Sequence, residues 1–438
     1  MLRTLSVLTL LGGIVARAHA APPAPLFEPG LAEEGFLARA DPRTAGLDRG
    51  ALEALIRDAE ATRSDALIVI KDGRVVLERT FGRPTGLLPS MSVTKSIVSI
   101  AVGLLLHEGK ISSVDAPLGT WFPEWRQGPR AKVTLRHVLT QTSGLQHGPG
   151  TRDLYPQNDR LRYARERQLA GMPGGRFDYN NDATQLLSGI IAAAAGKPVD
   201  AYLEERLFRP LGIHVQWERD PAGNVHTFGD LAIGARDLAR LGQLMLDDGA
   251  WHGRQLVPAA WIRESTRPAR PDVPFYGYLW WVVPDGRQLR QDPGFVDTLR
   301  RAGFGGAAKL ARLGDRAFTH REAYLLEAGA LLEPAERAQL AGLITATGAP
   351  LKARVGAPVG FKADGWLGQY LVVIPGARLV ALRMHRPIAG NGDDENQRYG
   401  FFSFSDRVRA LVPAPVDART ASAAPQAPRS RLQAPGAR

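Results

Sequence analysis

The chain has 438 residues, a hydrophobic share of 44% and no cysteine. Lacking cysteine, it has no disulfides, no thiol nucleophile and no lipid-modified cysteine anchor, and a chain this long needs no covalent staples to hold a core. The formal net charge is +11, but the arginines are scattered and no nucleic-acid motif accompanies them, which argues against a nucleic-acid partner.

Residues 1–20 have the form of a secretory leader: a basic Arg3, a mostly apolar stretch from Leu5 to Val15, and the small-x-small triplet Ala18-His19-Ala20. The expectation is an exported protein, periplasmic or secreted, that matures by cleavage near Ala20. The apolar stretch is too short to span a bilayer, and no other window reaches spanning length, so no transmembrane segment is expected. Residues 21–45 are rich in Pro and Ala and read as an extended arm. Leu47 to Ala61 has helical spacing. Ala66 to Ile70 and Val75 to Thr80 are β-branched runs around Asp72-Gly73, a hairpin signal.

Next comes Ser92-Val93-Thr94-Lys95, which opens an apolar run from Ser96 to Leu106. A serine and a lysine three residues apart share one face of a helix. A lysine that can shed its proton turns such a serine into a nucleophile. Of the eight lysines, only Lys95 has a serine three positions before it. The run is too apolar for a surface helix. Burial and the positive end of the helix dipole both disfavour the charged lysine. The plain alternative is a capping serine followed by a snorkelling lysine.

Residues 110–270 are dominated by helical patterns and loops, and the chain has no internal repeats. Near the far end, Gln369 to Ile374 and Leu379 to Arg383 flank Pro375-Gly376, a second strong hairpin. Phe401 to Leu411 reads as a closing helix. Residues 413–438, rich in Pro, Ala, Ser and Arg, read as a disordered tail. Strands at both ends with helices between predict an α/β (α+β) fold over residues 46–412. Its antiparallel sheet is built from N- and C-terminal strands flanked by helices, with a helical region inserted.

Three more segments join the Ser92 motif: Thr134 to Leu145, Pro173-Gly174-Gly175-Arg176-Phe177-Asp178-Tyr179-Asn180-Asn181, and Asp364-Gly365-Trp366-Leu367-Gly368-Gln369. In this order they resemble the serine β-lactamase-like superfamily: class C β-lactamases, DD-peptidases, related esterases and 6-aminohexanoate-dimer hydrolases. The resemblance runs from about Leu47 to Val412 with one interruption. It implies a β-lactamase/transpeptidase-like fold and an acyl-enzyme on Ser92, with Lys95 accepting or relaying the serine proton. Tyr179 would be base to Ser92 and acid to the leaving group. A phenol serves as a base only beside a cation, which pulls against a neutral Lys95 and leaves the protonation state open. Asn181 would orient substrate and brace Lys95. Asp364, Gly365 and Trp366 would line the third wall, with the backbone N–H groups of Ser92 and Trp366 as the oxyanion hole. Each residue alone has a simpler reading: Tyr179 as a packed turn residue, Asn181 as a helix cap, Trp366 as core, Asp364 as a polar residue at a strand start.

One departure from the family pattern bears on substrate. The third motif usually starts with lysine or histidine; here it reads Ala363-Asp364-Gly365. The cation that would pair with a carboxylate is missing, and Lys362, one residue off, should face the other way on a strand. This favours a small ester or amide, in the manner of esterases or 6-aminohexanoate-oligomer hydrolases. β-Lactamase or DD-peptidase activity is the alternative, and a non-catalytic binding protein on the same fold is a second. The interruption, about residues 286–358, carries helical patterns at Phe295 to Leu313 and Arg321 to Ala346. It is expected either to narrow the substrate pocket or to be a remote decoration. No Gly-x-Ser-x-Gly elbow occurs, and no histidine spacing suits a metal, so neither a metal nor a cofactor is expected. His137 reads as a structural hydrogen-bonder. The oligomeric state is not legible.

Overall fold

The computed structural model describes residues 37–82, 86–318, 321–347, 351–388, 390 and 399–412. The leader-like residues 1–20, most of the 21–45 arm and the 413–438 tail lie outside the described residues. The end of the arm runs beside a strand, with Ala40 N–H donating to Val75 O and Val75 N–H to Ala38 O.

Helix α1 (Arg49–Ala61) is capped by Asp48, whose side chain accepts from Ala51 N. The two hairpins form where the turn residues place them: β1 (Ala66–Lys71) with β2 (Arg74–Arg79), and later β5 (Gln369–Ile374) with β6 (Leu379–Met384). Between them lie α2 (Val93–His107), α3 (Asn181–Ala195), α4 (Ala235–Leu246), β3 (Trp281–Pro284) and β4 (Pro358–Gly365). Helix α5 (Phe404–Ala410) closes the fold. The six strands make one sheet in the order β2-β1-β6-β5-β4-β3, and every neighbour pair is antiparallel. N- and C-terminal strands therefore meet at its middle, Ala66 opposite Met384.

Alternation along the strands sends side chains to two cores. Ile68, Leu371 and Leu382 face α2 and α4, whereas Leu67, Val372 and Ala381 face α1 and α5. Helix α2 is buried from Val93 to Leu105, so it is the central helix between the sheet and the helical region. Its burial fixes the position of its first turn, where Ser92 and Lys95 stand. Among the described residues no single helix is long and apolar enough to cross a membrane.

The interruption is a unit with its own core of Leu289, Phe295, Leu299, Phe304, Leu310 and Tyr324. Besides the expected helices it holds a three-stranded sheet of Arg287–Gln291, Ala317–Phe318 and Leu351–Val355, which its polar composition hid. Chain entry and exit are adjacent: Asp285 N–H donates to Ala357 O at 2.7 Å and Gly356 N–H to Gly286 O at 3.0 Å. Ion pairs such as Lys309–Glu336 and Lys352–Asp292 stay inside it.

Candidate active site

A small sheet carries the chain into α2. Leu88–Pro89 pairs with Leu231–Ile233, and Ser90 N–H donates to Leu231 O at 2.8 Å. This places Phe228, Gly229 and Asp230, just before Leu231, beside the first turn of α2. Ser92 makes no capping bond through its side chain. Its Oγ instead accepts from Lys95 Nζ at 2.9 Å. Lys95 is 1% exposed, and its second bond goes to the carbonyl of Phe228 at 2.6 Å. The capping-serine, snorkelling-lysine alternative therefore does not describe this pair.

Burial drives the Lys95 ammonium down from its ordinary 10.5 to about 7, with the nearby Asp230 charge pulling the other way. Asp230 accepts from Tyr155 OH at 2.8 Å and contacts His226 Nδ1 at 2.8 Å. Tyr179 stands against both motif residues: its ring centroid is 4.9 Å from Lys95 Nζ, and Ser92 lies near enough to its phenol to lower its pKa. Burial raises the Tyr179 phenol above its ordinary value; Ser92 lowers it and the Asp364 charge raises it further. Both shifts favour a lysine that gives up its proton around neutral pH beside a protonated phenol.

The Tyr179 loop is held on both sides. Asp178 N–H donates to Gln141 O at 2.8 Å, and Asn180 N–H to Gln141 Oε1 at 2.6 Å. Asn180, not Asn181, caps α3, its Oδ1 accepting from Ala183 N at 2.8 Å. Asn181 is the first residue of that helix. It does not brace Lys95: its Nδ2 donates to Gly150 O at 2.9 Å, and the brace is the Phe228 carbonyl. Asn181 Oδ1 is buried without a hydrogen-bond partner. His137 is structural, its Nδ1 accepting from Thr134 N at 3.1 Å.

The third motif ends β4. A side chain at Gly365 would put its Cβ 2.6 Å from Ser90 O, so only glycine lets this strand lie against the approach to Ser92. Alternation sends Ala363 into the core and leaves Lys362 and Asp364 together on the other face. Lys362 Nζ pairs with Asp364 at 2.7 Å and lies 5.2 Å from the Tyr370 ring centroid. No cation therefore stands at the head of the motif, while the Asp364 charge is felt by Tyr179 and Tyr276. Trp366 is 39% exposed. Neither its amide nor that of Ser92 is used in a turn, loop or cap hydrogen bond among the described residues.

Sequence reading missed the support of this turn. Arg383 on β6 is fully buried, and its guanidinium donates to the carbonyls of Leu367 at 2.7 Å and Gly368 at 2.8 Å, next to the Trp366 amide. It also reaches Thr62 O, Tyr399 O and Ser64 Oγ. Desolvation pulls this arginine down to about 10. Four non-glycine residues take the left-handed conformation around the site: Met91 (φ 51°), Gln141 (φ 56°), Asp230 (φ 65°) and Leu367 (φ 66°). Each costs about 1–2 kcal/mol and persists because packing over-determines it.

The chain is similar to several known proteins. The chain is 30% identical over 212 residues to esterase EstB of Burkholderia gladioli, covering 40% of this chain and 53% of that one. It is 26% identical over 263 residues to 6-aminohexanoate-dimer hydrolase of Paenarthrobacter ureafaciens, covering 52% and 66%. These matches span about half to two thirds of the curated relatives' length. The fold is shared with a Bacillus anthracis structure assigned as a 6-aminohexanoate-dimer hydrolase, with a TM-score of 0.55 and 18% identity over 82% of both chains. The model of the beta-lactamase family matches residues 52–398, so the chain belongs to the beta-lactamase family.

Proposed function

We propose that this chain is a serine hydrolase that cleaves a small ester or amide through an acyl-enzyme on Ser92. One observation carries the reading: the fully buried Lys95 Nζ lies 2.9 Å from Ser92 Oγ. Neutral Lys95 takes the Ser92 proton as Oγ attacks the carbonyl carbon. The Ser92 and Trp366 amides receive the developing oxyanion. The proton passes to the leaving group through the Tyr179 phenol, the carbonyl-to-leaving-group bond breaks, and water then hydrolyses the acyl-serine.

The absence of a third-motif cation supports substrates without a carboxylate at that position, since Lys362 is engaged by Asp364 and the negative field reaches Tyr179. Similarity to an esterase and to a 6-aminohexanoate-dimer hydrolase supports the same class. The leader-like residues 1–20 support action outside the cytoplasm, which the mass of the exported chain would check.

The test is hydrolysis of p-nitrophenyl butyrate by the wild type and by Ser92→Ala. A loss on the order of 10³-fold or more is expected. Equal rates would overturn the reading for simple esters. A penicilloyl mass on Ser92 would move the assignment to the cell-wall alternative.

A further inference from the structure

The Tyr179 ring is the inner end of an aromatic row. Trp281 stacks on it, with centroids 6.0 Å and planes 23° apart. Phe275 stacks in turn on Trp281 at 6.3 Å and 20°. Phe177 meets both edge-on, 5.2 Å from Phe275 and 6.1 Å from Trp281. Tyr276, which is buried, holds Trp281 edge-on at 4.8 Å. Two chain segments supply the row: the loop that carries Tyr179, and the stretch leading into β3.

Packing of the loop alone accounts for the buried members. It does not account for Phe275, which is 41% exposed. The row therefore runs from the phenol that meets Ser92 out to solvent. Near-parallel rings offer a flat face, and the favourable partner for such a face is another ring in offset or edge-on contact. A flexible aliphatic group would use less of it.

Resting on the hydrolase reading above, we propose that Phe275 and Trp281, buttressed by Phe177, form the leaving-group subsite and that it takes an aromatic alcohol or amine. The natural substrate class is then aryl esters or anilides. In acylation the bond between the carbonyl carbon and the aryl oxygen or nitrogen breaks. The Ser92 proton ends on that heteroatom by way of Tyr179, the inner end of the row. The acyl group stays on Ser92 and the free phenol or aniline departs along the rings.

The test compares 2-naphthyl butyrate with hexafluoroisopropyl butyrate, whose leaving groups are of similar acidity but differ in aromaticity. The expected result is an aryl-to-alkyl ratio of kcat/KM that falls about five- to tenfold in Phe275→Ala, the scale of one aromatic contact. Phe275→Tyr should restore most of it. An unchanged ratio, whether or not both rates fall, overturns the subsite. Ser92→Ala separates the two readings. If it is as active as wild type on both esters, the hydrolase reading fails, and the subsite is read from 2-naphthol binding to the Ser92→Ala protein by fluorescence. Weaker binding after adding Phe275→Ala retains the subsite; equal affinity overturns it.

Discussion

Lys95 Nζ is shared between Ser92 Oγ, three residues before it, and the carbonyl oxygen of Phe228, 133 residues after it. A neutral amine keeps a lone pair for the serine proton while one N–H stays on the carbonyl. With Lys95 near 7, kcat/KM for an ester should rise through an acid limb centred near pH 7 and level above it. A flat profile from pH 5 to 9 would refute this role for Lys95.

The same burial costs stability. The folded Lys95 pKa of about 7 lies below its ordinary 10.5, so the unfolded chain binds more protons between those values. Stability from this group therefore rises with pH across that window, and the penalty is fully present below pH 7. Lys95→Met should abolish activity yet raise the unfolding free energy by ~2 kcal/mol at pH 6 to 7, narrowing toward pH 10. Urea unfolding at the two pH values checks it; destabilisation that is independent of pH would count against a strained lysine.

Asp230 charges the neighbourhood of Lys95 and is itself held by Tyr155 and His226. Asp230→Asn keeps the shape and tolerates the φ of 65°. It removes the negative charge that favours the ammonium. The acid limb of kcat/KM should move to lower pH, read from a pH–rate profile, with the rate on its plateau retained. A shift to higher pH would contradict the placement.

Arg383 clamps the turn beside the Trp366 amide. Arg383→Ala should lower kcat on the order of 10²-fold with a much smaller change in KM, because an oxyanion donor acts mainly in the transition state. It should also cost about 3 kcal/mol in urea unfolding, since buried carbonyls lose their donor. Methylguanidine added to the variant should restore part of kcat. Lost stability with an unchanged kcat would make Arg383 structural alone.

Residues 287–355 enclose their own core and leave the sheet through neighbouring strands. Joining Gly286 to Gly356 directly should close the β3–β4 hairpin and keep the fold, with ester kcat/KM within about threefold of wild type. Circular dichroism and kinetics on the shortened chain check this. A folded protein with a much altered substrate range would instead place the unit over the cleft.

What the sequence revealed were local signals. Alternating β-branched runs around Asp72-Gly73 and Pro375-Gly376 marked both hairpins, and Ser92, Lys95 and Tyr179 stood in recognisable motifs. What it hid was carried by backbone or by distance. The carbonyl of Phe228 has no side-chain signature, and nothing in the run from Leu379 to Arg383 marks its arginine as a buried guanidinium. Asn180 and Asn181 are adjacent and chemically alike, so only the structure shows which one caps α3. The strands within residues 287–355 are arginine- and glutamine-rich and lack the alternation that marks a half-buried sheet.

The pairing of β1 with β6, Ala66 opposite Met384, sets an order of events during synthesis. Helix α2 can form early, but the Trp366 turn is locked only when Arg383 is in place and bonded back to Thr62 and Ser64. Contacts across more than 300 residues form slowly and late. On the mechanism proposed above, a growing chain therefore holds Ser92 long before the turn that carries the Trp366 amide is locked, and hydrolysis would switch on only once nearly the whole polypeptide is made.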